Sequence, residues 1–72
     1  MELTGKIKYH DIAMGAWSLM ADNGQTYELS NPPLEIRQDN LKVTITGQVR
    51  EDIMTVAMIG TVLEVESFKI IN

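Results

Sequence analysis

Residues 17–27, Trp-Ser-Leu-Met-Ala-Asp-Asn-Gly-Gln-Thr-Tyr, restrict what this chain can fold into more than any other stretch. Asn23-Gly24 is a strong signal for a hairpin turn, because both residue types tolerate a positive φ. On one arm Trp17, Leu19 and Ala21 alternate with Ser18, Met20 and Asp22. On the other, Gln25, Tyr27 and Leu29 alternate with Thr26 and Glu28. A period of two is the mark of a half-buried strand. Trp17 and Tyr27 fall in the apolar phase with Leu19 and Leu29, so the Trp17 indole is expected inside the fold. The outward phase is then Ala16, Ser18, Met20, Thr26 and Glu28.

The same reading extends along the chain. Leu3, Gly5, Ile7 and Tyr9 alternate with Thr4, Lys6 and Lys8 in a first strand, where Gly5 marks a bulge or a close backbone approach. Residues 10–14 form a loop. Ser30-Asn31-Pro32-Pro33 ends the hairpin, since proline removes a ladder donor. Residues 34–38 read as a helical turn capped by Ser30 or Asn31. Leu41, Val43, Ile45, Gly47 and Val49 alternate with Lys42, Thr44, Thr46, Gln48 and Arg50, the clearest strand pattern present. Residues 53–59 are apolar in both phases, which predicts a strand covered on both sides. Gly60 interrupts it. Residues 61–71 resume as a strand whose phase changes near Glu66-Ser67, as a bulge would require.

A chain of 72 residues is one domain and leaves little core to spare. It has no cysteine and one histidine, His10, so neither a disulfide nor a thiolate metal site is open to it and stability must come from apolar packing. The formal charge of −4 argues against a broad phosphate footprint. No apolar run approaches the ~20 residues of a membrane span. No basic, then apolar, leader follows Met1-Glu2, so no signal peptide is expected and the cytoplasm is the default compartment.

Three strands, a short helix, and then two or three strands is the order of an all-β, five- to six-stranded barrel of the oligonucleotide/oligosaccharide-binding (OB) kind, with its helix between strands three and four. An SH3-like barrel is the alternative. The motifs Gly15-x-Trp17, Asp22-Asn23-Gly24-x-x-Tyr27, Asn31-x-Pro33, Asn40-Leu41-x-Val43 and Met58-x-Gly60 resemble those of a group of small bacterial and archaeal OB-like domains. The chain departs from that group at Asn40, where glycine is usual, and at Ile59, where an aromatic residue is usual. The resemblance spans most of the chain and implies the fold; it brings no activity with it.

Candidate chemistry is sparse. Glu51-Asp52 and the Glu64/Glu66 pair lack the further oxygen ligands a divalent cation needs. His10-Asp11 lie on opposite faces of an extended strand, and neither Ser18 nor Ser30 stands in a nucleophile elbow. The outward residues of the hairpin include no aromatic or basic side chain, whereas single-strand binding needs both. Two surfaces remain. Lys6, Lys8, Lys42 and Arg50 share an outer wall with Thr4, Thr44 and Thr46 if strands one and four are neighbours, a docking face for an acidic partner or polyanion. Met54 and Met58, with Val56, form an apolar phase of the kind that adapts to partner surfaces. The expectation is a non-enzymatic module without cofactor that contacts another protein or another domain. A weak oligonucleotide- or oligosaccharide-binding domain is the alternative.

Overall fold

The hairpin forms where the sequence places it. In the computed structural model, which describes residues 1–71, β2 (Ala16–Ala21) pairs antiparallel with β3 (Thr26–Ser30) in the register Ser18↔Glu28, Leu19↔Tyr27 and Met20↔Thr26. The turn is not the two-residue form. Only Gly24 has a positive φ, +89°, and Asn23 does not. The Gly24 N–H donates to the Ala21 carbonyl at 3.0 Å and the Ala21 N–H to the Gln25 carbonyl at 2.9 Å. That is a three-residue loop with glycine in its left-handed position. Asn23 contributes through its side chain, whose Oδ1 accepts the Gln25 N–H at 2.9 Å.

β1 (Glu2–His10) lies along β2 and also pairs with β4 (Lys42–Val49). β5 (Thr61–Ile70) runs antiparallel to β4 and parallel to β3, and the sheet closes in the order β1-β2-β3-β5-β4. The result is a small all-β barrel of the OB- or SH3-like kind with five strands. Its one helical element is a 3-10 turn, Leu34–Ile36, between β3 and β4. Gly5 marks a close approach: a Cβ there would collide with the Met20 carbonyl oxygen. The expected phase change in β5 is a bulge at Glu66, since the pairing steps from Thr46↔Ser67 to Gly47↔Val65.

The inward phases meet in one core of Ile7, Leu19, Tyr27, Leu29, Ile36, Val43, Ile45 and Leu63. Ile36 closes it from the 3-10 turn, while Leu34 points to solvent. The cap differs from expectation: Pro33 occupies the position before the turn and no side chain caps it. Asn31 instead takes a left-handed conformation, φ 49°, and turns the chain out of β3. Asn40 is also left-handed, φ 68°, a conformation that asparagine tolerates better than most residues. Trp17 has the expected inward phase but is only partly buried. It packs at the margin of the core, its ring centroid 4.9 Å from that of Tyr9, its cross-strand partner. The fully buried apolar side chains are smaller aliphatics.

Residues 53–59 are not a strand. In a closed barrel each strand's two edges are occupied: β3 is taken by β2 and β5, and β4 by β1 and β5. A sixth strand would have no ladder to join, so the segment crosses as a loop between Val49 and Thr61. Its two apolar phases survive as exposure. Ile53, Thr55, Ala57 and Ile59 are half-buried, and Met54, Val56 and Met58 are exposed.

Candidate interaction surface

The outer face of β2 and β3 carries Ser18, Met20, Thr26 and Glu28. Two of these are buried although they point away from the core: Ser18 completely, and Glu28 with 7% of its surface exposed. The cover on Glu28 is the β4–β5 loop. One carboxylate oxygen, Oε1, accepts the Thr55 hydroxyl at 2.8 Å and the Ile59 N–H at 3.2 Å. Thr55 Oγ1 in turn accepts the Met58 N–H at 3.2 Å, tightening the loop around φ 50° at Met58. Val62, opposite Glu28 across β3–β5, is buried on the same outer side. A carboxylate in so enclosed a position has to be hydrogen-bonded, and the loop supplies the donors.

Pinned there, the loop turns Met54, Val56 and Met58 to solvent at 97%, 88% and 83% exposure. Between them and the barrel lies an open cleft of about 300 Å³ lined by Ile53, Met54, Thr55, Met58, Gly60 and Val62. Three large apolar side chains this exposed on one loop are unusual on a surface with no partner. At the base of the loop Arg50 forks onto Asp52, Nε to Oδ1 at 2.9 Å and Nη2 to Oδ2 at 2.8 Å, and its Nη1 reaches Glu64 Oε2 at 2.5 Å. The direct hydrogen bond from Arg50, then the Asp52 backbone amide, hold the Asp52 carboxyl down from its ordinary 3.8 to about 2, while its carboxylate partners raise the Arg50 guanidinium.

The basic wall is shorter than the sequence suggests. Lys6 stands directly opposite Lys42, and Thr4 opposite Thr44 with their hydroxyls 2.8 Å apart. Lys8 turns to the Asn40 side-chain oxygen at 2.9 Å and to Asp39 at 3.7 Å. Arg50 is drawn away to Asp52 and Glu64. In its place Lys69, opposite Thr44 on β5, extends the wall; a wall built from strands one and four alone leaves it out, because the pairing of β5 with β4 is a matter of topology rather than of phase.

His10 and Ser18, read separately from sequence, meet as diagonal neighbours across β1–β2, Nε2 to Oγ at 2.7 Å. Their pairing depends on register, which the sequence does not encode at that distance. The Ser18 hydroxyl is enclosed and engaged, so no substrate carbonyl can reach it. Among the described residues no three His, Cys, Asp or Glu side chains converge as a metal site, and no helix is long and apolar enough to cross a membrane. In comparisons with family models, curated proteins and solved structures, nothing matches this chain.

Proposed function

We propose that this barrel is a non-enzymatic protein-interaction module of OB-like type, and that the β4–β5 loop is its contact surface. One observation carries the reading: a loop hydrogen-bonded to a buried carboxylate holds three large apolar side chains in solvent. Apolar residues in a floppy loop would fold back on the barrel or disperse. Here Glu28 fixes the loop's inner phase, and the outer phase is presented as a consequence. The customary OB ligand face supports the same view, because on β3 it is covered by this loop and centred on a carboxylate, which disfavours nucleic acid.

The test is a photo-crosslinking amino acid placed at Val56 in the full-length protein in its own cells, with the same group at exposed Lys69 as control. The expected result is a discrete protein adduct from position 56, absent from position 69 and lost in Met54→Ser/Met58→Ser. Equal adducts from both positions, or none from 56, would sink the reading.

A further inference from the structure

The chemistry of the loop's surroundings narrows the kind of partner. Resting on the reading of the loop as a contact surface, we infer that it accepts a cationic amphipathic segment of another protein. The segment's apolar side chains enter the cleft beside Met54 and Met58, and its Lys or Arg residues lie on the carboxylates at the loop's base.

Charge is the first ground. At that base Glu51, Asp52 and Glu64 stand against Arg50 alone, three carboxylates to one cation. Arg50 is already engaged with two of them. Glu51 is exposed and has no cation partner among the described residues. Glu66, further along β5, is met only by the Gln48 amide at 3.0 Å. The chain's cationic residues Lys6, Lys42 and Lys69 gather instead on the β1–β4–β5 wall. The molecule is therefore polarised, with the exposed Met54, Val56 and Met58 on the acidic side. Complementarity selects a positive partner and suppresses an acidic one.

Shape is the second ground. The cleft is apolar, open and at the small end of ligand pockets, which suits side-chain anchors. Methionine at its rim repacks around anchors of different shape, as in grooves that take amphipathic helices. A second copy of this chain fits less well. Its basic wall offers charge through Lys6, Lys42 and Lys69, but between them stand Thr4 and Thr44, not large apolar groups. Wall-to-loop contact would also be head-to-tail, which propagates unless the rotation closes.

The experiment titrates the 15N-labelled protein with a synthetic Leu/Lys amphipathic peptide, and with matched Leu/Glu and Leu/Gln peptides. The Leu/Lys peptide is expected to shift the amides of residues 53–62 and to bind more weakly as salt is raised. Met54→Ser/Met58→Ser should weaken it about tenfold or more, from lost apolar burial. Glu51→Lys should weaken it about threefold, the size of an exposed ion pair. Equal binding by the Leu/Glu or Leu/Gln peptide overturns the inference, as do shifts centred on the Lys6–Lys42 wall. If no peptide binds but the crosslinker at Val56 captures a protein, the cationic partner is wrong and the contact surface stands. If neither occurs, both fall.

Discussion

Replacing Glu28 by alanine should release the β4–β5 loop without unfolding the barrel. The carboxylate accepts two hydrogen bonds from the loop, at 2.8 Å from Thr55 and 3.2 Å from Ile59, in a position 7% exposed. A hydrogen bond to a charged group contributes ~1.5–3 kcal/mol. The two bonds share one oxygen, and water can reach a released loop, so together they are worth ~2–3 kcal/mol of docking rather than twice the single value. None of the strand ladders involves the Glu28 side chain, so the loss is local opening. At 1.4 kcal/mol per tenfold, the Ile59 amide should exchange with solvent about 30- to 150-fold faster in Glu28→Ala. Core amides such as Leu19 and Ile45 should change far less. Glu28→Gln keeps a carbonyl oxygen for both donors and should lie between the two. An Ile59 amide exchanging equally in wild type and Glu28→Ala would refute the pinning.

Gly24→Val should cost ~1–2 kcal/mol, because space around Gly24 is open and the penalty is that of a left-handed L-residue at φ +89°; the urea midpoint reports it. Ile36→Ala should cost ~2–5 kcal/mol, since Ile36 is fully buried, whereas Leu34→Ala should be close to silent in the same assay. For Asp52 the folded carboxyl titrates near 2 against an ordinary 3.8. Its pairing with Arg50 is therefore intact above about pH 4 and lost as pH falls through 2, visible as the midpoint of its side-chain carboxyl 13C shift. Single-stranded DNA should bind more weakly than ~10⁻⁴ M at physiological salt; micromolar affinity with a steep salt slope would promote the Lys6–Lys42–Lys69 wall to a functional site.

The parts of this fold that were legible in the sequence are those with a local cause. Alternation in 41–50 and in 17–29 marks strands because a period of two is written residue by residue. The β5 bulge shows because the phase visibly breaks at Glu66. The loop at 53–59 was misread for a reason equally physical: whether an apolar run becomes a strand depends on a free edge, and barrel closure, a property of the whole chain, removes it. Its alternation was nonetheless meaningful, and reappears as the division between Thr55 and Ile59, which bind Glu28, and Met54 and Met58, which face solvent. Trp17 shows the limit of phase alone. Phase sets the side of the sheet, while distance from the barrel's end sets depth, and Trp17 lies at the margin beside Tyr9. Glu28 was missed as a loop anchor because nothing local distinguishes it from an ordinary outward glutamate.

The contact surface is tested most directly by Met54→Ser/Val56→Ser/Met58→Ser, with stability and partner capture measured on the same preparation. These side chains are 83–97% exposed, so their loss should leave the melting midpoint unchanged. Capture through a crosslinker placed instead at exposed Glu51 should be abolished. A lowered midpoint would show that the three residues pack against the barrel, and undiminished capture with an unchanged midpoint would show that the partner binds elsewhere.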